Sequence, residues 1–301
     1  MNPPDWFDME RDARASRSTS VRRPPLVEQE LKEALRLEQR FLPRPQQLDA
    51  LEFAWRFEPL DTLGGDIFDV HVVDGERMSL YMIDVSGHDA GAALIAISAF
   101  QFIRDQHEAT AARGTPSPED VLAGLRASFP FDRFERFFSI AYVTVDLKLG
   151  ALTAKSAGHP PPILLRADGS MHALDRHECV IGVEPEPGGR THQLPFGEGD
   201  RLVLYTDGLL DLADARRARF GSRRLREALR AHKDEPIQEM IDSVYGCARE
   251  FAGGEPSEDD ISVLAVEGRA AREHSVFSAR EQVVVGSMWA GRRAHGLDVT
   301  V

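Results

Sequence analysis

Apolar and polar positions alternate with a period of two along much of this chain. Leu51-Glu-Phe-Ala-Trp-Arg-Phe57 sets apolar residues against polar or small ones and predicts a strand. Asp66-Ile-Phe-Asp-Val-His-Val-Val73 predicts a second strand, Asp74-Gly75 a hairpin turn, and the apolar run Tyr81-Met-Ile83 a third strand that stops on Asp84. Between the first two, Gly64-Gly65 lets backbone approach closely whatever lies beside it. A helix is expected from Gly91 to about His107, with Ser86 or Asp89 better placed than Asp84 to cap it. Ser117-Pro-Glu-Asp starts another, with a cap, a first-turn proline and acids at the positive dipole end.

The second half repeats the alternation. Residues 137–149 and 151–156 predict a hairpin across Gly150, followed by short runs at 163–166 and 201–206. Helical periods follow at about 222–232 and 236–251, and Ile261-Ser-Val-Leu-Ala-Val266 gives a last strand. Antiparallel strands with helices inserted in pairs predict an α+β fold, a two-layer antiparallel β-sandwich flanked by helix pairs. This domain is expected over 47–268. Residues 1–25 are polar and predict a disordered N-terminal tail. Over 26–46, Val27, Leu31, Leu35 and Leu42 share one face of an amphipathic linker or regulatory helix that Pro43 and Pro45 stop. Glu38 within that face favours a surface with a partner, either a regulatory protein or a second copy of helix 26–43. Residues 269–301 look peripheral and carry no functional reading.

Charge narrows the chemistry. With 36 Lys and Arg against 49 Asp and Glu the net charge is −13, which disfavours nucleic acid or anionic lipid as the main partner. No apolar stretch nears the roughly 20 residues that span a bilayer, so no membrane association is expected. Two cysteines, Cys179 and Cys247, have no metal-like spacing, and the N-terminus has no signal-peptide pattern; a cytoplasmic protein with reduced thiols is expected.

The acids stand at strand ends. Asp66 begins a strand, Asp84 and Asp207 end strands, and Asp259-Asp260 lead into one. Brought to one rim of a sandwich, they would repel and raise each other's pKa unless divalent cations joined them. Oxygen ligands without His or Cys suit Mg²⁺ or Mn²⁺, and an ion pair would activate water and clamp a phosphoryl group. The plainer alternative is that each Asp serves a turn or cap.

Five blocks occur in order: Leu63-Gly-Gly-Asp-Ile-Phe-Asp69, Asp84-Val-Ser-Gly-His-Asp-Ala-Gly-Ala-Ala-Leu94, Ser156-Ala-Gly-His-Pro-Pro-Pro162, Tyr205-Thr-Asp-Gly208 and Asp259-Asp-Ile-Ser-Val263. Together they resemble the bacterial PPM (PP2C-like) serine/threonine phosphatases of the stage II sporulation E and RsbU type. The resemblance implies two Mn²⁺ or Mg²⁺ ions, with Asp66 and Asp84 as first ligands, Asp84 bridging, Val85 offering its carbonyl, and Asp207 and Asp259 completing the set. Asp260 is the second choice in its pair. The resemblance also implies a phosphorylated protein substrate, an anti-sigma antagonist of the STAS type in a partner-switching pathway of sigma-factor regulation. His88 is a candidate general acid for the leaving alkoxide, with a hydrogen-bonded turn histidine as the alternative role. His159 is expected to pin a turn. Asp89 departs from the family's usual Gly or Lys and would weaken phosphate approach. A non-catalytic module that keeps the fold and sequesters a regulator is the rival from another class, and a Mg²⁺-dependent nuclease a third that the net charge disfavours.

Overall fold

A computed structural model describes residues 42–270, apart from positions 45, 49, 61–63, 88, 112–113, 176–177 and 184–188. The predicted tail 1–25, nearly all of the helix predicted over 26–43, and 271–301 lie outside the described residues. One sheet contains β1 (Gln46–Gln47), β2 (Leu51–Glu58), β7 (Ile163–Leu165), β8 (Met171–Ala173), β10 (Arg201–Tyr205) and β11 (Ile261–Gly268), in the order β1-β2-β11-β10-β7-β8. The other contains β3 (Asp66–Val72), β4 (Arg77–Val85), β5 (Phe138–Asp146), β6 (Ala151–Ala157) and β9 (His192–Pro195), in the order β3-β4-β5-β6-β9. Every strand pairing within the two sheets is antiparallel. The expected sandwich is what the chain adopts.

Strand alternation divides the side chains between three apolar layers. Facing the opposite sheet are Phe68 and Val70 of β3, Met78, Leu80 and Met82 of β4, and Ala141, Val143 and Val145 of β5. Phe53 of β2, Leu202 and Leu204 of β10, and Leu264 and Val266 of β11 meet them from the other side. The intervening residues face outward, yet they are buried as well, because helices cover both outer faces. Strand β4 is consequently apolar on both sides and reads as a continuous run rather than an alternation.

Helices α1 (Ala90–Thr110) and α2 (Pro118–Ser128) cover the β3–β6 sheet, and α5 (Gly221–Ala231) and α6 (Ile237–Ala252) cover the other. Helix α1 presents Ala92, Ala93, Ala96 and Ala99 inward, small side chains that let it lie close to the sheet. Its cap is Asp89, whose carboxylate accepts from the Ala92 amide at 3.0 Å. Ser117 caps α2, accepting from the Asp120 amide at 3.1 Å. Short elements escape the sequence pattern: β1, β8, β9, α3 (Phe131–Phe134) and α4 (Asp207–Asp211) have two to five residues, too few for any period. The strand expected over 137–149 ends at Asp146, where the chain turns through Gly150 at φ +62°. Cys179 and Cys247 are free, half-buried thiols. Among the described residues no helix is long and apolar enough to cross a membrane.

A polar cluster interrupts the apolar layer beneath the C-terminal half of α1. His107 of α1 is buried, its Nε2 within 3.1 Å of both Ser79 Oγ and Tyr142 Oη, and its ring stacks on His71 at 4.1 Å. Burial, then the neighbouring His71, push the His107 pKa down to about 3, so it is neutral in the folded state. Burial lifts the nearby Asp69 to about 6, with the Val70 amide and then Arg104 pulling the other way.

Two outcomes follow for stability. Leu264→Ala, in the middle of the inter-sheet layer, is expected to lower the unfolding free energy by about 2–5 kcal/mol in urea denaturation. Folding raises the proton affinity of Asp69, so its contribution favours the native state below about pH 4 and is lost as pH rises through about 6. Asp69→Asn is therefore expected to exceed the wild type in stability by about 1–2 kcal/mol at pH 7–8, with the gap closing below about pH 4 in pH-resolved melts.

Candidate active site

The inward rows of the sandwich change character at one end. Continuing by twos from Phe68 on β3 reaches Asp66; from Met82 on β4, Asp84; and from Ala141 on β5, Ser139. These three are consecutive partners across the sheet, Asp66 opposite Asp84 and Asp84 opposite Ser139. In the facing sheet the same count leads from Leu204 to Thr206, and from Leu264 to Ser262 and Asp260. A polar layer thus replaces the apolar one at this rim.

Asp66 is the most deeply committed member. It is 3% exposed, and its Oδ2 accepts from Thr206 Oγ1 at 2.9 Å and Ser262 Oγ at 2.6 Å, both from the opposite sheet. The Ser262 amide in turn donates to Thr206 Oγ1 at 3.0 Å, which orients that hydroxyl. Burial, then the charges of Asp260 and Asp259, raise the Asp66 pKa well above the usual carboxylate range, against the pull of the two hydroxyls. Asp66 thus lies within electrostatic reach of Asp259 and Asp260.

Loop packing gathers the remaining blocks. Asp260, also buried, accepts from the Leu60 amide at 2.7 Å through Oδ1 and the Gly65 amide at 2.8 Å through Oδ2. Its carboxylate ties Leu60 and Gly65 to the start of β11, a clamping role for the second choice of the pair. Asp259, half-buried beside it, is left as the ligand candidate. A Cβ on Gly65 would lie 2.5 Å from the Val85 carbonyl and 2.9 Å from that of Gly87; only glycine permits this contact between the Gly-Gly-Asp loop and the loop after β4. A Cβ on Gly208 would strike the Asp260 carbonyl and lie 3.4 Å from the Asp259 Cβ, which places Asp207-Gly208 against Asp259-Asp260. Asp207 itself is 7% exposed at the start of α4.

Of the predicted residues, Asp66, Asp84, Val85, Asp207, Asp259 and Asp260 come from four separate blocks that meet at this rim. His88 lies outside the described residues. His159 is fully buried, its Nδ1 2.8 Å from Ser139 Oγ, and so links the Gly-His-Pro block to the residue opposite Asp84. Ser139, Thr206 and Ser262 were not anticipated, although extending the core rows by two residues would have found each.

The donors fit hard divalent cations in kind: carboxylates and a main-chain carbonyl, with a buried Asp66 whose ionisation is opposed by neighbouring acids. Among the described residues no group of three or more acidic, His or Cys side chains stands in ready ligating geometry. The clamp and ligand assignments separate on truncation. Asp260→Ala, which strands two amides, is expected to destabilise the chelator-treated protein by about 2–5 kcal/mol in thermal melts, and Asp259→Ala, which strands one, by about 1–2 kcal/mol.

Comparison with known proteins bears on the fold and the family. The chain is 25% identical to the phosphoserine phosphatase RsbP of Bacillus subtilis over 246 residues, 80% of this chain and 58% of that one. It thus spans less than two thirds of that relative's length. Its fold matches the SiaA-PP2C domain of Pseudomonas aeruginosa with a TM-score of 0.69 at 23% identity, covering 80% of this chain and 96% of that domain. The catalytic domain of the serine/threonine phosphatase PstP, solved with two manganese ions, matches with a TM-score of 0.52 at 15% identity over 73% of this chain and 99% of that one. The model of the stage II sporulation protein E (SpoIIE) family matches residues 74–269, more than half of the chain, and the chain belongs to that family.

Proposed function

We propose that this chain is a divalent-metal-dependent protein phosphatase that hydrolyses phosphoserine or phosphothreonine. The observation that carries the proposal is the convergence of Asp66, Asp84, Asp207 and Asp259 on one polar rim, with the Asp66 carboxylate held by hydroxyls from the opposite sheet. Two Mn²⁺ or Mg²⁺ ions bound there would supply Lewis acidity toward water and toward the phosphoryl oxygens. The residues themselves do the holding. Thr206 and Ser262 occupy Asp66 Oδ2 and leave Oδ1 as the oxygen to offer a cation. Gly65 seats against Val85, whose amide donates to the Gly65 carbonyl at 3.2 Å, and the Ser86 amide, in the same peptide as the expected Val85 ligand carbonyl, donates to the Phe137 carbonyl at 3.0 Å. Ser139 and His159 form a serine–histidine pair, but 7% and 0% exposure bar a substrate from reaching it. The pair supports a reading in which Ser139 backs Asp84 and is no nucleophile.

The likeness to RsbP supports phosphoserine in a protein as the substrate, and a phosphorylated STAS-type anti-sigma antagonist is the substrate class proposed, in a partner-switching pathway. Residues 26–43 are proposed to receive a regulatory protein or a second copy of the chain.

Hydrolysis of p-nitrophenyl phosphate and of a phosphoserine peptide is expected to rise with Mn²⁺. Asp84→Ala and Asp207→Ala are each expected to cut turnover more than about a hundredfold while leaving the circular-dichroism spectrum unchanged. Peptide binding without turnover under any divalent ion would mark the non-catalytic module instead.

A further inference from the structure

Asp89, an expected obstacle to phosphate, is engaged by the guanidinium of Arg136. Arg136 lies just before β5. Its Nη2 donates to both Asp89 oxygens, at 2.9 and 2.8 Å, and its Nη1 donates to the Ser86 carbonyl at 2.7 Å. The next residue completes the grip: the Ser86 amide donates to the Phe137 carbonyl at 3.0 Å. Both polar groups of the Ser86 backbone, directly after Val85, are therefore held by residues 136 and 137.

Two glycines make room for this guanidinium. Gly87 sits at φ +92°, and a Cβ there would lie 2.9 Å from Arg136 Nη1. A Cβ on Gly91 would lie 3.1 Å from Arg136 Nη2 and 3.0 Å from Asp89 Oδ1. On the far side, a Cβ on Gly182 would meet the Arg136 carbonyl at 3.0 Å. Asp89 also caps α1, so the same carboxylate ties Arg136 to the helix start. The Arg136 side chain is 26% exposed and that of Asp89 45%, so the guanidinium is the more sheltered partner of the pair.

We infer that Arg136 is a positioning residue for the candidate metal loop: its Nη2 on the Asp89 carboxylate and its Nη1 on the Ser86 carbonyl hold the backbone after Val85 in the shape that aims the Val85 carbonyl and Asp84 at the metal rim. The inference rests on the proposed metal-dependent reading of that rim. Asp89 then neutralises Arg136 and fixes its plane, and its own charge is answered before any phosphate arrives. A lysine could supply the charge but not two nitrogens fixed in one plane, one on Asp89 and the other on the Ser86 carbonyl.

The test is Mn²⁺ binding by calorimetry on the full chain, with turnover measured in parallel. Arg136→Ala is expected to raise the Mn²⁺ dissociation constant about 10- to 100-fold, the range seen when outer-shell partners of metal ligands are removed. Arg136→Lys is expected to recover only part of that loss, and Asp89→Asn, which still caps α1, to fall between wild type and Arg136→Ala. If Arg136→Ala fails to fold, Asp89→Asn alone decides: an unchanged Mn²⁺ affinity sinks the inference. Wild-type Mn²⁺ affinity in folded Arg136→Ala would overturn it, whether only the melting temperature fell (a structural role) or only KM for the phosphopeptide rose (a substrate-binding role). A wild type that binds Mn²⁺ without hydrolysing anything would defeat the phosphatase reading and leave this comparison intact. A wild type that binds no Mn²⁺ would defeat both.

Discussion

The hydrogen bonds from Thr206 and Ser262 to Asp66 join two sheets at the point where apolar packing gives out. Elsewhere the sheets cohere through Phe68, Leu80, Leu204 and Leu264, side chains with no directional preference. At the rim a buried carboxylate accepts two hydroxyl bonds across the interface, and the spacing of the two sheets becomes a spacing between potential ligands. Nothing in an apolar core would fix that distance as sharply, because mixed aliphatic packing tolerates small shifts that a 2.6 Å hydrogen bond does not.

This arrangement trades stability for chemistry. Burial at 3% exposure, then the charges of Asp260 and Asp259, raise the pKa of the Asp66 carboxyl well above the usual carboxylate range, so its ionised form is costly here. The fold offsets only part of the charge around the rim. Arg136 answers the charge of Asp89, whereas Asp260, whose two oxygens accept from backbone amides, still adds to the repulsion on Asp66. Acidic residues that look alike in sequence thereby divide into ligand candidates, a clamp and a helix cap.

Much of this was legible before any coordinates. The period-two runs mark the long strands, the 3.6-period runs mark the four covering helices, two of them with capping residues, and the five ordered blocks mark the rim. Two kinds of feature were not readable. Elements such as β9 and α4 are held by neighbours and carry no periodicity of their own, so tertiary context alone defines them. The division of labour among acids was also hidden, because Asp259 and Asp260 are adjacent and identical in type, and only the positions of the Leu60 and Gly65 amides distinguish them. Asp89 illustrates the same limit: its cost to a phosphate depends on Arg136, 47 residues away in the chain. Ser139, Thr206 and Ser262 were within reach, since each continues a core row by one step of the alternation.

Anomalous diffraction at the manganese edge from crystals grown with Mn²⁺ bears most directly on the claim that oxygens from four separate blocks hold the same ions. The account predicts anomalous peaks at about 2.1 Å from carboxylate oxygens of Asp66, Asp84, Asp207 and Asp259, with Asp260 still bonded to the Leu60 and Gly65 amides. Peaks confined to other surface acids, or a rim in which Asp66 and Asp84 touch no ion at saturating Mn²⁺, would contradict it.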